Sequence, residues 1–503
     1  MEKNTFRVVK KKRVERSDFN VECNIAVDGE VGKIFSVCHS ACVENVEVTE
    51  GAVNVTGNID LCVVYESVNG EVLSTNQACA FSSKIESDQI SAGDKVCVFV
   101  DIVECTIDSV SGQNIKLSLV LGQRATVISC YDVPSVDASG ENICAKRENI
   151  SVSTYVGEAS EVFAVESEAS IKEPIRKVIL CDSAVSVKNT ECKADYVVVT
   201  GEVVERILYL TENDRYETIY LTENFKEEVE LAGVTSNATL EAYLAVKRQE
   251  VKCEVVNEEK GVKILITAPI ALRVCAFKEE EVSVVKDLYS CKERLDVTTE
   301  SFDMTKELNA DHFEAKFDGV LSLDENAPRI DKLLFVAGAN LFVSNSYIQN
   351  GEVFVEGVAK ANVVYLNDEE NSLHSVTMEV PFVVSDRARD EVEDAKIFVD
   401  AVLYDVDVIA KKGRDLFFDG KLKVSVYYDI DEVCAVITNA SQTGEVFERD
   451  CDMELVFAKA GEDAWDIAKK FSVQEETLLL QNPDVIFPLS DDANLILYYQ
   501  KLK

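Results

Sequence analysis

The sequence predicts a mainly β protein, built as three tandem β-sandwich-like repeat domains followed by a small α+β module. Three observations lead to this fold class. One pattern of residues recurs three times, short segments alternate apolar and polar residues, and helical periodicity is nearly absent before residue 460. A chain of 503 residues is also too long for one ordinary core, so several domains are expected.

A glycine marks the centre of each repeat. It ends a Val-x-Val-x-Gly pattern, and successive copies are 144 and 156 residues apart. A lysine precedes it by 24, 24 and 25 residues, a tyrosine follows it by 8, and a phenylalanine follows it by 24, 24 and 25. These anchors are Lys33, Gly57, Tyr65, Phe81, Lys177, Gly201, Tyr209, Phe225, Lys332, Gly357, Tyr365 and Phe382. We expect the aromatic residues to be core anchors and the glycine to sit at a bulge or a close backbone approach.

The spacing of these anchors sets the predicted domain boundaries. Segments 131–150 and 276–300 lack strong alternation and are predicted as acidic connectors between repeats. The predicted units are a basic N-terminal arm at 1–18, β repeats at 19–144, 145–290 and 291–435, a linker at 436–452 and a final module at 453–503.

The charge balance restricts the partners. With 51 basic and 91 acidic side chains the formal net charge is −40, which repels nucleic acid and anionic membranes and favours a basic partner surface or bound cations. The exception is a basic cluster from Lys10 to Arg16. It is either an arm that docks on an acidic surface, such as another copy of the chain, or a solvated tail or edge-strand start. Apolar runs are far short of the ~20 residues that a membrane span needs, and no targeting segment is visible, so a cytosolic location is expected.

The 16 cysteines are unevenly distributed, and none lies between Cys291 and Cys434. Disulfides that defined the repeat domain would recur in every copy. We therefore expect buried free thiols in a reducing compartment.

The sequence contains no catalytic motif, because P-loop, Gly-x-Ser-x-Gly and His-Glu-x-x-His patterns are all absent. The histidines do not recur between repeats, so no enzyme activity and no cofactor are predicted. Cys38-His39-Ser-Ala-Cys42 is either a metal site or two core thiols flanking an exposed histidine, and we favour the second interpretation. Acidic runs at 429–432 and 390–394 offer calcium ligands but fit solvated loops better. No metal is predicted.

The last segment has a different periodicity. Leu455–Phe457 reads as a strand, and the apolar residues between Ala464 and Phe471 have helical spacing behind Asp463, a good N-cap. A second helix is expected at Glu475–Gln481 and a final strand at Leu495–Tyr498. This order predicts a βααβ unit.

The segment resembles a LysM domain in Gly461-Glu-Asp-Ala-Trp465, Ile467-Ala468, Asn482-Pro483 and Leu495. The resemblance implies a shallow groove for N-acetylglucosamine polymers such as peptidoglycan. The predicted groove residues are Gly461, Glu462, Asp463, Ala464, Trp465, Asn482, Pro483, Asp484 and Val485. The family's usual Gly-Asp-Thr-Leu is Gly-Glu-Asp-Ala here, so a protein ligand is an equal alternative.

The tandem pattern of lysine, Val-x-Val-x-Gly, tyrosine and phenylalanine resembles SPOCS domains. SPOCS repeats followed by LysM resemble the SipL group of spore coat morphogenetic proteins. The resemblance implies a non-enzymatic scaffold in the mother cell, at the forespore surface, whose LysM module docks a coat-basement ATPase of the SpoIVA type. Exposed edge strands would also permit self-association into a homo-oligomer or larger assembly. The alternatives are a cell-wall-binding protein that grips peptidoglycan, and a wall hydrolase for which the sequence offers no nucleophile.

Overall fold

A computed structural model describes residues 2–140, 142–258, 261–367, 372–388, 392, 394–448 and 451–499. The prediction of a mainly β protein is confirmed, with 78% strand and 3% helix. No helix among these residues is long and apolar enough to cross a membrane.

Repeat 1 consists of two antiparallel three-stranded sheets that pack face to face. One sheet has the order β2 (Val31–Thr49), β3 (Ala52–Ser67), β4 (Val72–Glu86), and the other has the order β1 (Glu2–Ala26), β6 (Asn114–Asp137), β5 (Lys95–Ser111). Alternate residues of β3, such as Val53, Val55 and Ile59, are fully buried between the sheets, as expected for strands with one face in a core.

Repeats 2 and 3 follow the same plan. Repeat 2 pairs β8 (Ile175–Cys192), β9 (Tyr196–Thr211) and β10 (Tyr216–Glu230) in one sheet, and β7 (Ile143–Ile171) with β13 (Gly261–Ser290) in the other. The third strand of that sheet is split into β11 (Thr239–Val246) and β12 (Lys252–Glu258) by a 3₁₀ turn. Repeat 3 contains β14 (Glu293–Ser322), β15 (Lys332–Gln349), β16 (Glu352–Asn367), β17 (Ser372–Arg387), β18 (Lys396–Lys411) and β19 (Asp415–Val446), in sheets β15-β16-β17 and β14-β19-β18.

The strand boundaries differ from the predicted connectors. Residues 2–18, predicted as an arm, belong to β1 and pair with β6. Most of segments 131–150 and 276–300 is strand, and residues 436–446, predicted as linker, continue β19. The first and last strands of each repeat run past the sandwich as a long antiparallel pair. Backbone hydrogen bonding between the two strands keeps these segments extended although their side chains alternate only weakly.

Hydrophobic clusters shared by all three repeats hold them together, and two of these clusters show the arrangement most clearly. The central cluster contains the residue before each repeated tyrosine, namely Val64, Leu208 and Val364. The strand-end cluster joins the extensions of the long strand pairs and contains Val8, Val133, Ile150, Val152, Val284, Phe302, Met304 and Val436. In the central cluster, residues at the same position of the three repeats therefore pack against one another.

The C-terminal module follows the predicted order of a strand, two helices and a strand. It comprises β20 (Met453–Ala458), α1 (Ala464–Lys470), α2 (Glu475–Gln481) and β21 (Ala493–Tyr498), with β20 and β21 antiparallel. Asp463 caps α1, because its carboxylate accepts the backbone N–H of Trp465 at 2.6 Å. Val456, Leu495 and Leu497 are buried in the core that includes the helices.

Candidate functional site

The repeated glycine and phenylalanine form a contact pair in every repeat. Gly57 pairs with Phe81, Gly201 with Phe225 and Gly357 with Phe382 across neighbouring strands. On the opposite side of each glycine the neighbouring strand carries a register shift, after Val43, Val187 and Val343. These glycines are therefore at a close backbone approach next to a bulge, and they build the sandwich core instead of a ligand site.

The repeated lysine and tyrosine have different environments. Tyr65 donates its hydroxyl to the Asp28 carbonyl at 2.6 Å, inside repeat 1. Lys33 donates to the Leu373 carbonyl of repeat 3 at 2.9 Å, and Lys177 of repeat 2 is 3.8 Å from Glu71 of repeat 1. The first two repeated lysines thus contact a neighbouring repeat, whereas Lys332 is exposed.

The N-terminal basic cluster does meet an acidic surface, and that surface belongs to the same chain. Lys11 Nζ is 2.6 Å from Glu241 of repeat 2 and 3.2 Å from Asp429 of repeat 3, with all three side chains at least 94% buried. Arg13 donates to Asp429 at 2.6 Å and to the carbonyl of Ile397. The run 429–432 is predicted as a solvated loop, but it lies in β19, and its Asp429 and Asp431 bind this basic cluster.

A second part of this junction is more exposed. Asp431 accepts hydrogen bonds from Lys10, Lys396 and the Thr305 hydroxyl at 2.6–2.9 Å. Burial opposes ionisation of Asp431, yet these donors together lower its pKa to about 2. The charged junction therefore links β1 to the long strands of repeat 3. The other acidic run, 390–394, predicted as a solvated loop, lies mostly outside the described residues.

Three of the residues predicted to line the groove of the C-terminal module are buried. Trp465 is 6% exposed and Ala464 is 4% exposed, both in the module's core. Asn482 is buried, and its side chain bonds the backbone of Leu478 and Ile496. Among the predicted groove residues, Gly461, Pro483 and Asp484 are exposed, whereas Glu462, Asp463 and Val485 are half-buried.

The module sits on the end of the long antiparallel pair β7–β13 of repeat 2, a contact that the sequence did not predict. Trp465 Nε1 donates to Asp287 at 2.8 Å, and Lys469 is 2.6 Å from the same carboxylate. These donors lower the pKa of Asp287 although burial works in the opposite direction. Tyr289 packs edge-on against Trp465 and donates its hydroxyl to the Val473 carbonyl at 2.7 Å. We call this contact the module seat.

An apolar sheet face of the module is left uncovered. Side chains that alternate with the buried ones on β20 and β21 point away from the helices. Five of them are large apolar residues that expose 37–67% of their surface: Met453, Leu455, Phe457, Ile496 and Tyr498. Cross-strand pairing places Met453 opposite Tyr498 and Leu455 opposite Ile496, so the residues form one continuous patch. We call it the apolar sheet face.

The candidate metal residues do not form a ligand cluster. Cys38 is buried and donates to the Ala337 carbonyl of repeat 3 at 3.3 Å. His39, predicted as exposed, is half-buried, and burial lowers its pKa to about 4. Over the described part of the chain, no three His, Cys, Asp or Glu side chains are placed to hold a metal ion.

One cysteine pair corrects the expectation of free thiols. Cys23 and Cys79 form a disulfide between β1 and β4, which joins the two sheets of repeat 1. The other cysteines of the chain are not in disulfides. Cys291 belongs to the buried cluster of Tyr289 and Trp465 in the module seat, and Cys144 packs against it. These two cysteines are in contact, with 3.6 Å between their sulfur atoms.

The fold defines a protein of three tandem β-sandwich repeats that carries one small α+β module. The family model described as SipL, SPOCS domain matches residues 30–110, 174–256 and 329–411. Each match begins at the first strand of the three-stranded meander (β2, β8, β15) and excludes the long first and last strands of the repeat. No curated protein and no solved structure matches this chain.

The SPOCS matches indicate a sporulation-related, non-enzymatic role. The C-terminal module lies outside all three matches, so its assignment to the LysM family stays a prediction.

Proposed function

We propose that this protein is a non-enzymatic scaffold or adaptor in spore coat assembly, acting in the mother cell at the forespore surface. The observation that carries the proposal is the apolar sheet face on a module seated on a tandem SPOCS-like body. The three repeats supply a rigid platform, because shared clusters and buried charges hold them together. The edge strands of their sheets offer further surfaces for self-association.

The partner of the module is a coat-basement protein of the SpoIVA-like ATPase type. Contiguous exposed apolar patches on a protein surface mark interaction sites. Leu455, in the middle of the apolar sheet face, exposes 67% of its surface, and Phe457, next to it on β20, exposes 60%. Because the chain carries a formal charge of −40, a partner with basic residues around an apolar contact is favoured over a second copy of this chain.

Binding of the purified SpoIVA-like ATPase to the full chain tests this proposal. Leu455→Arg and Phe457→Arg should each weaken binding at least about tenfold, as expected when a large exposed apolar side chain of an interface is replaced by a charge. Leu480→Arg is the matched control, because Leu480 is 81% exposed on α2 rather than on the apolar sheet face. Equal binding by all variants with unchanged circular dichroism would count against docking through this face.

Peptidoglycan binding is the alternative function of the module. Gly461, Pro483 and Asp484 are open to solvent and could line a glycan site. The burial of Trp465 and Asn482 favours a protein ligand, since these side chains are engaged within the chain. Retention on purified peptidoglycan that depends on residues 453–503, without co-purification of a coat protein from sporulating cells, would favour the glycan alternative.

A further inference from the structure

We propose that Cys144 and Cys291 form a reversible disulfide site that crosslinks the two strands of the module seat when a small-molecule disulfide such as glutathione disulfide is present. The sulfur atoms are 3.6 Å apart, in contact but not bonded. Cys144 lies in β7, and Cys291 directly follows the last residue of β13.

The backbone geometry allows the sulfur atoms to approach further. Cys144 pairs directly with Tyr289, and the Cys291 backbone N–H donates to the Asn142 carbonyl at 2.9 Å, so the two cysteines are diagonal neighbours. A disulfide needs about 2.05 Å between the sulfur atoms. Cys291 lies between β13 and β14, outside either strand, where the chain adjusts more easily than inside a ladder.

The two thiols have different access to a reagent, which assigns their roles. Cys144 is half-buried, whereas Cys291 is only 9% exposed within the core of the seat. A hydrogen bond with Cys291 lowers the pKa of Cys144 to about 7, against the opposing effect of burial. The thiolate is the reactive form of cysteine, so Cys144 is the attacking group.

The exchange balances in two steps. The Cys144 thiolate attacks one sulfur of glutathione disulfide, which forms a mixed disulfide and releases one glutathione. Cys291 then loses its proton to solvent and attacks the Cys144 sulfur, which releases the second glutathione. Two protein thiols lose two electrons and two protons, and glutathione disulfide is reduced to two glutathione molecules.

The crosslink lies directly beneath the C-terminal module. Cys291 and Tyr289 belong to the same buried cluster as Trp465 and Leu478, and Cys144 packs against it. The backbone of Glu475, at the start of α2, also contributes to lowering the pKa of Cys144, so α2 begins close to this thiol. A covalent link between the strand ends therefore stiffens the surface on which both helices rest.

Peptide mapping of the full chain tests the site. After treatment with glutathione disulfide, alkylation and proteolysis, mass spectrometry should find a peptide linking Cys144 to Cys291 that dithiothreitol removes. Cys291→Ser should instead accumulate glutathione on Cys144. Cys451→Ser, which removes an exposed thiol outside the seat, should keep the linked peptide. If Cys144 and Cys291 remain fully open to alkylation under conditions in which glutathione disulfide modifies the exposed Cys451, the proposal is overturned.

Hydrogen exchange tests the effect on the module independently of any variant. Amides of α1 and α2 should exchange about threefold more slowly in the crosslinked chain than in the reduced chain, because local opening of the seat is restricted. Equal exchange rates in the two forms would overturn the coupling between the disulfide and the module.

Discussion

Gly57 and Phe81 face each other across β3 and β4, and the phenyl ring lies where a side chain on the glycine would be. A Cβ at Gly57 would be 2.7 Å from the ring and 2.2 Å from the Cys42 carbonyl oxygen. The same geometry recurs at Gly201 with Phe225 and at Gly357 with Phe382. The two residues recur together because one makes room for the other.

Gly57→Ala should therefore destabilise repeat 1. The added methyl group meets backbone on one side and an aromatic ring on the other, and overpacking of this kind costs about 1–3 kcal/mol. Gly93→Ala is the control, because a Cβ there has no neighbour within 4 Å. Urea unfolding followed by circular dichroism would measure both, and equal midpoints for the two variants would contradict the steric explanation.

Lys11→Met should weaken the contact between the three repeats. It leaves Glu241 and Asp429 buried without the ammonium group that lies 2.6 and 3.2 Å from them. Removing one partner of a buried ion pair costs about 3–5 kcal/mol. Lys84→Met breaks an exposed pair with Glu86, and such pairs contribute at most about 1 kcal/mol. A Lys11→Met midpoint no lower than that of Lys84→Met in urea would show that the junction does not stabilise the protein.

Glu205 should make repeat 2 less stable as the pH rises from about 4.5 to about 7. This carboxyl group is fully buried, and in repeats 1 and 3 the equivalent positions, four residues after the repeated glycine, hold Leu61 and Ala361. Burial raises the pKa of Glu205 from 4.5 to about 7. The folded state therefore holds a proton that the unfolded state loses, so the stabilising contribution is complete below pH 4.5 and is lost as pH rises through 7.

Glu205→Gln should consequently lose less stability than the natural chain between pH 5 and pH 8. A pKa difference of this size corresponds to a relative gain of up to about 3 kcal/mol at pH 8. Glu217→Gln, at an exposed position in the same sheet, should leave the pH profile unchanged. Parallel pH profiles of the urea midpoint for Glu205→Gln and the natural chain would exclude this role for Glu205.

Asp287→Ala should loosen the module seat. The change removes the acceptor of Trp465 Nε1 and the partner of Lys469. Because Trp465 is the only tryptophan of the chain, its emission reports on the seat, and release of the module should shift that emission to longer wavelength. Asp296→Ala, at an exposed position on β14, is the control. An unshifted spectrum for Asp287→Ala would mean that the module stays seated without this carboxylate.

Local patterns in the sequence predicted much of the fold. Alternation of apolar and polar residues gives strands, and the spacing of the glycine, tyrosine and phenylalanine anchors defines three repeats. The cap at Asp463 and the helical spacing after it locate α1. These features depend on neighbours within one strand or helix, or on a repeat of the same neighbours.

Contacts between distant segments were decided by the tertiary structure. Lys11 and Asp429 are 418 residues apart, and nothing in their local sequence indicates that they meet. Likewise, Trp465 was predicted to line a ligand groove, but it is buried against repeat 2, 178 residues away from Asp287. The sequence by itself determined the three repeats, the strands inside each sandwich and the order of elements in the module, because periodicity records which face of each element is buried. Only the tertiary packing decided which buried faces contact each other. It placed the N-terminal strand against all three repeats and the C-terminal module on the second repeat.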